Sequence, residues 1–213
     1  MDRMLSKTLR AFCDDVASDS FAPGGGCVSA VSGSLAASLG HMVLLLTCGK
    51  KKYAEFDADN TALKGVMKKH QEALFACVER DIAGCDAMLA AMALPKETDA
   101  DKAARKIAMQ KASKTANEAP LAICEEAIGL LRSLDASVGK VNQNAITDWA
   151  CAALQAYAAL EGAALNAKIN CGGTGDPAYE ADVRGNLRAW LDEGRRLMES
   201  VRDRIHSGLD ATN

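Results

Sequence analysis

The chain has 213 residues, 49% of them apolar and 25% charged, which is enough for one domain with a sizeable core. A formal charge of −3 and a pI near 5.7 exclude the broad basic surface of a nucleic-acid binder. Eight scattered cysteines without a C-x-x-C pair read as free thiols of a cytoplasmic protein, and the opening MDRMLSKTLR lacks an apolar leader.

An amphipathic first helix is expected over residues 5–17, with Leu5, Leu9, Phe12 and Val16 on one face. A turn over 19–26 leads into a long uncharged helix, 26–48. On it Ser29, Gly33, Ala37 and Gly40 form a small-residue stripe that admits a second helix closely, either from the same chain or from a second subunit. That segment is long enough to span a bilayer. Its serines, glycines and His41 dilute it, however, and no second span exists, so a buried bundle helix and no membrane partner are expected. A third helix covers 57–93, with Asp81 on or near its apolar stripe, and Pro95 ends it. Thr98 and Asp101 have the spacing of a helix start. The fourth helix then runs to about 117, where Pro120 is expected to kink or restart it, and a fifth continues to about 134. After a loop over 136–144, further helices are expected over 145–169 and 178–207. The predicted fold is all-α: one domain, residues 1–213, built as an antiparallel helical bundle with long central helices.

Three groups of residues could carry chemistry. Gly24, Gly25 and Gly26 open the uncharged helix, where bare backbone and unpaired N–H groups can receive a ligand. Lys50, Lys51, Lys52 and Tyr53 follow its far end, where a lysine run is ordinarily a solvated, dipole-favoured terminus. A helix of this length holds its ends about 35 Å apart, so one ligand reaches both groups only if two copies pair antiparallel. The second group is Asn142, Asn144, Thr147 and Asp148, which could equally be a helix cap. The third is Asp81 among apolar neighbours, a carboxylate that should be paired, functional or at the stripe's edge; Asn166 and Asn170 are weaker candidates. His70 reads as a satisfied core or edge histidine, and His41 as a minor candidate base. No histidine has zinc-ligand spacing to a cysteine, so no metal is expected.

Several segments together resemble the cyclodeaminase/cyclohydrolase family of folate enzymes. They are APGGGCVSA (22–30), TCGKKKY (47–53), Asp81 with LPK (94–96), ANEAPL (116–121), NQNAITD (142–148) and LNAKIN (165–170), in order over about 150 residues. The chain departs from the family pattern at Cys27, Cys48 and Gln143. The resemblance implies the fold of the C-terminal domain of formiminotransferase-cyclodeaminase. It also implies a homodimer with folate sites in clefts shared by two subunits, no cofactor beyond the reduced folate itself, and a substrate with one or several glutamates. The family's motifs would make Asp148, Asp81 and Lys50 the catalytic groups. Gly24, Gly25, Gly26, Lys51, Lys52, Tyr53, Asn142, Asn144 and Asn170 would be the substrate-binding ones.

Formiminotetrahydrofolate cyclodeaminase activity, a lyase reaction, is the main expectation. Methenyltetrahydrofolate cyclohydrolase activity is the alternative, because both reactions pass through the same methenyl species. A helical protein that binds or assembles without catalysis is a remote third. No formiminotransferase-like segment accompanies these motifs, so the substrate is expected to arrive from solution or a partner.

Overall fold

The computed structural model describes residues 4–211. Six α-helices account for nearly all of it: α1 (Leu9–Val16), α2 (Gly25–Leu45), α3 (Asp57–Met92), α4 (Asp99–Ser137), α5 (Ile146–Cys171) and α6 (Pro177–Asp210). Short 3-10 segments, Lys51–Phe56 and Gln143–Ala145, precede α3 and α5, and there is no strand among the described residues. The all-α expectation holds. Helix α2 lies between α3 and α5, α4 packs along both of those, and α6 closes over α4 and α5.

Helix α2 can occupy the centre because it is uncharged and narrow. A Cβ on Gly33 would lie 3.0 Å from the Leu74 methyls of α3 and 3.3 Å from Ala159 Cβ of α5, and one on Gly40 would lie 3.0 Å from Met67 Sδ. The small-residue stripe is therefore spent inside the chain, against α3 and α5. Its buried hydroxyls are satisfied locally. Ser34 donates to the Ala30 carbonyl at 2.9 Å and Thr47 to the Val43 carbonyl at 2.6 Å, each four residues back. By length and hydropathy α2 could cross a membrane, but half of that window is buried within the protein.

Local start signals explain two helix boundaries. At α4, Thr98 Oγ1 accepts from Asp101 N–H at 3.1 Å while Asp101 Oδ2 accepts from Thr98 N–H at 3.0 Å, the reciprocal cap that the sequence predicts. At α1, Thr8 caps by accepting from Ala11 N–H, so the helix begins at Leu9 and not at residue 5. Leu9 is 74% exposed, and only Leu5 and Phe12 of the predicted face pack toward the core.

The expected restart at Pro120 does not occur: α4 is one helix of 39 residues that includes it. Proline removes the N–H that would bond the Ala116 carbonyl. Asn170 of α5 supplies the missing donor, its Nδ2 lying 2.9 Å from Ala116 O. Asn170→Ala should therefore cost about 1–3 kcal/mol of unfolding free energy by orphaning a buried carbonyl. In a Pro120→Ala background, where the backbone N–H returns, the loss should be far smaller. Urea titrations of the four proteins in a double-mutant cycle measure this, and equal costs in both backgrounds would refute the link.

Candidate active site

The glycine run, Asp81 and the asparagines of α5 meet at the first turn of α2. Gly24 is the N-cap residue of that helix and has no side chain to cap with. Asp81 reaches it from α3: its carboxylate accepts from Cys27 Sγ at 3.2 Å and lies near enough to the Cys27 backbone N–H for that dipole to favour its charged form. The fit excludes any side chain at position 26, where a Cβ would sit 2.1 Å from Asp81 Oδ1. At Gly25 a Cβ would lie 3.0 Å from Asn166 Nδ2. Asn166 itself donates to the Gly162 carbonyl at 2.8 Å.

These groups line a cavity of about 180 Å³. Asp81, Asn166 and Asn170 supply its polar wall, and Phe21, Cys85 and Met88 much of the apolar one. Sequence reasoning missed Phe21, Cys85 and Met88. The signal for two of them was present, since Cys85 and Met88 follow Asp81 by four and seven residues and so share its helix face. Burial pushes the Asp81 pKa above its ordinary value, and the two donors from Cys27 pull it only partly back. Burial, with Asp81 beside it, also pushes the Cys27 thiol well up, so that it stays protonated.

The lysine and Asn-loop residues assemble at the other end of α2. Asn142 is buried and ties the α4–α5 loop down. Its N–H donates to Thr47 Oγ1 and its Nδ2 to the Leu46 carbonyl, both at 2.9 Å, while its Oδ1 accepts from Asn144 N–H at 3.1 Å. Tyr53 is buried too, and its hydroxyl accepts from Gln143 N–H at 2.9 Å. Lys50, Lys51, Lys52 and Asn144 are exposed, and Asp148 is half-buried in the first turn of α5. Gly49 makes the turn into the lysines with φ +75°, a backbone state that favours glycine, and its N–H donates to Asp57 at 2.7 Å.

The predicted site residues thus form two sets. Gly24–Gly26, Asp81 and Asn170 lie at one end of α2; Lys50–Tyr53, Asn142, Asn144 and Asp148 lie at the other. The 21 residues of α2 put about 30 Å between them. His70, outside both, packs between α3 and α4 with Nδ1 2.5 Å from Glu126 Oε2, as expected of a satisfied edge histidine. Among the described residues no three His, Cys, Asp or Glu side chains converge as metal ligands.

The fold and this cavity together define a class of protein, an all-helical bundle with a carboxylate-lined cavity at a glycine-built helix start. Comparison with known proteins narrows it. The sequence model of the formiminotransferase-cyclodeaminase family matches residues 8–189, and the chain belongs to that family. A methenyltetrahydrofolate cyclohydrolase of Methylorubrum extorquens is 38% identical over 208 residues, covering 96% of this chain and 99% of that protein. The formimidoyltransferase-cyclodeaminase of Sus scrofa is 32% identical over 204 residues, with this chain spanning 38% of its length. The crystal structure of formiminotetrahydrofolate cyclodeaminase from Thermotoga maritima superposes with a TM-score of 0.79 over 98% of each chain at 24% identity, which shows a shared fold.

The raised pKa of Asp81 has a signed consequence. A carboxyl raised in the folded state contributes stability that is fully present below its unfolded value, here 3.8, and is lost as pH rises through the folded value. Unfolding free energy of the native protein should therefore carry a downward contribution with pH above 3.8 that Asp81→Asn removes. Urea titrations at a series of pH values compare the two slopes, and identical slopes would show that Asp81 does not titrate differently on folding.

Proposed function

We propose that the chain is a methenyltetrahydrofolate cyclohydrolase, hydrolysing the 5,10-methenyl bridge to 10-formyltetrahydrofolate. The observation that carries this reading is the M. extorquens cyclohydrolase, matched over nearly the whole of both chains. The main expectation from sequence was deamination of 5-formiminotetrahydrofolate. The cyclodeaminase relatives keep that as the second reading, but this chain spans only 38% of the Sus scrofa protein, and the end-to-end match favours hydrolysis.

In the hydrolysis, water adds to the cationic bridge carbon and gives up a proton. The bond from that carbon to N5 then breaks as the adduct's hydroxyl gives up its own proton and becomes the carbonyl, N5 takes a proton, and the formyl group stays on N10. The reaction needs a base beside the water and negative charge near the cation. Asp148 is assigned both roles. Lys50 is assigned to the oxygen that develops charge as the adduct forms. Asp81, at the floor of its cavity, is assigned to the pterin's amidine edge, where paired N–H groups complement a carboxylate. Gly24 and Gly25 give the flat ring bare backbone to lie against, while Gly26 makes room for the Asp81 carboxylate.

Since Asp81 and Asp148 are separated by the length of α2, the reading requires a second copy. The outward face of α2 carries Val28, Leu35, Met42 and Leu45 at near-heptad spacing, with Leu35 54% and Leu45 56% exposed. Beside it α5 exposes Leu154, Leu165 and Ile169. An apolar stripe on two adjacent helices is suited to an isologous dimer. In an antiparallel pairing the glycine end of one copy faces the lysine end of the other. Eight free thiols accord with a cytoplasmic setting.

Purified protein should consume the absorbance of 5,10-methenyltetrahydrofolate; appearance of that absorbance from the 5-formimino compound would instead establish deamination. Asp148→Asn should lower turnover at least about a hundredfold in a folded protein. Asp81→Asn and Asp148→Asn proteins, each inactive, should recover about a quarter of native activity when dissociated and mixed, because a mixed pair contains one intact site. No recovery would mean that a single copy builds the whole site.

A further inference from the structure

The carboxylate assigned to the ligand has a partner that the ligand cannot touch. Cys27 is fully buried on the first turn of α2 and is not among the residues that line the Asp81 cavity. Its Sγ lies 3.2 Å from Asp81 Oδ2 and 3.5 Å from the Val78 carbonyl, two acceptors that both belong to α3. The thiolate is strongly disfavoured at this position, because burial and the Asp81 charge both oppose it. Sγ therefore keeps its single proton, and a charged carboxylate is the better of the two acceptors for it. The bond joins adjacent helices at the level where Gly26 leaves room for the carboxylate, with Oδ1 the atom nearest to position 26.

Among the described residues the Cys27 thiol is the only side chain that donates to Asp81. No lysine or arginine lines the cavity. The neighbours from α5 are the neutral amides of Asn166 and Asn170, and each gives an Nδ2 proton to a backbone carbonyl instead. From α4 the wall is Ala116, and from α3 it is Cys85 and Met88. The titratable groups that feel the Asp81 charge are Cys27, Cys77 and Cys85, all three thiols pushed up by burial. Glu79 acts on Cys27 and accepts from Met4 N–H at 2.7 Å, while Arg80 and Glu126 act on Cys77. Burial thus opposes the Asp81 charge with no cation beside it, and the S–H and N–H of Cys27 favour that charge.

We propose that Cys27 is a positioning residue of the folate site: its thiol, donating to Oδ2, holds the Asp81 carboxylate in place to accept from the pterin's amidine edge. The proposal rests on the folate reading above. When Asp81 takes up a proton, the bond to Oδ2 weakens, the thiol turns to the Val78 carbonyl, and the carboxyl no longer offers two acceptors to paired N–H groups. Removing the thiol favours that protonated form. Binding is then weakened first on the acid side, while the chemistry assigned to Asp148 is left alone.

The test follows the Asp81 carboxyl carbon by NMR across pH in native, Cys27→Ala and Cys27→Ser proteins, with Asp81→Asn identifying its signal. Over the same range kcat and KM are measured for methenyltetrahydrofolate. In Cys27→Ala the carboxyl midpoint should move to higher pH. KM should rise on the acid side by about threefold to tenfold, with kcat within about twofold of native. Cys27→Ser, which restores a donor, should return both toward native. Cys27→Val, which fills the space without a donor, should behave as the alanine protein does. A role in packing alone predicts lower stability with no movement of the midpoint. An unmoved midpoint in the folded alanine or valine protein overturns the proposal, whether or not the folate is turned over. A midpoint that moves while KM keeps its native pH profile also overturns it and leaves the folate reading standing. Failure of the native protein to bind or turn over either folate overturns the folate reading and the positioning role with it. The carboxyl titration separates these failures because it needs no ligand.

Discussion

The seating of the Asp81 carboxylate on the first turn of α2 governs the arrangement. A helix start needs acceptors for its free N–H groups, and glycines at 24–26 provide none. Asp81 brings a carboxylate from α3 to this turn, where it accepts from Cys27 Sγ, and so sets α3 against α2 at that level. The approach succeeds only because position 26 is bare. One contact therefore sets a helix boundary, the packing of two helices, and a partly buried carboxylate at the floor of a cavity. The same group that stabilises the helix start is the one a ligand would meet.

From this contact follows the use of the two faces of α2. The small residues face inward and let α3 and α5 approach so closely that a Cβ on Gly33 or Gly40 would press on Leu74 or Met67. The larger apolar residues, Val28, Leu35, Met42 and Leu45, are left facing outward. Over much of its length this helix thus sorts its residues by size more than by polarity, while Val43 and Leu44 near its end are buried in the core. This explains how it can resemble a membrane span while lying half inside a packed bundle.

The parts of this structure that depend on neighbouring residues could be read in the sequence. The Thr98–Asp101 cap spans three residues, so its spacing announces it. The glycine run and the lysine run were visible as the two ends of one helix, and Asp81 as a carboxylate in an apolar setting. What failed depended on distant partners. Pro120 reads as a break because the donor that rescues the Ala116 carbonyl lies on α5, 54 residues away. The small-residue stripe was legible, but whether it met its own chain or another copy was not. Asn142 carries the same chemistry whether it binds a ligand or straps a loop. Only its hydrogen bonds to Thr47 and Leu46 reveal the second use. The apolar pattern of α1 placed Leu9 on a buried face, yet among the described residues nothing covers it.

The bond from Asn170 to the Ala116 carbonyl joins two segments that otherwise share no sequence pattern. A chain that keeps proline at 120 must keep a side-chain donor at 170, and a chain that gives up the proline releases 170 to drift. Along a lineage, the two positions should therefore change as a pair, with the asparagine outlasting the proline only where a ligand also holds it in place.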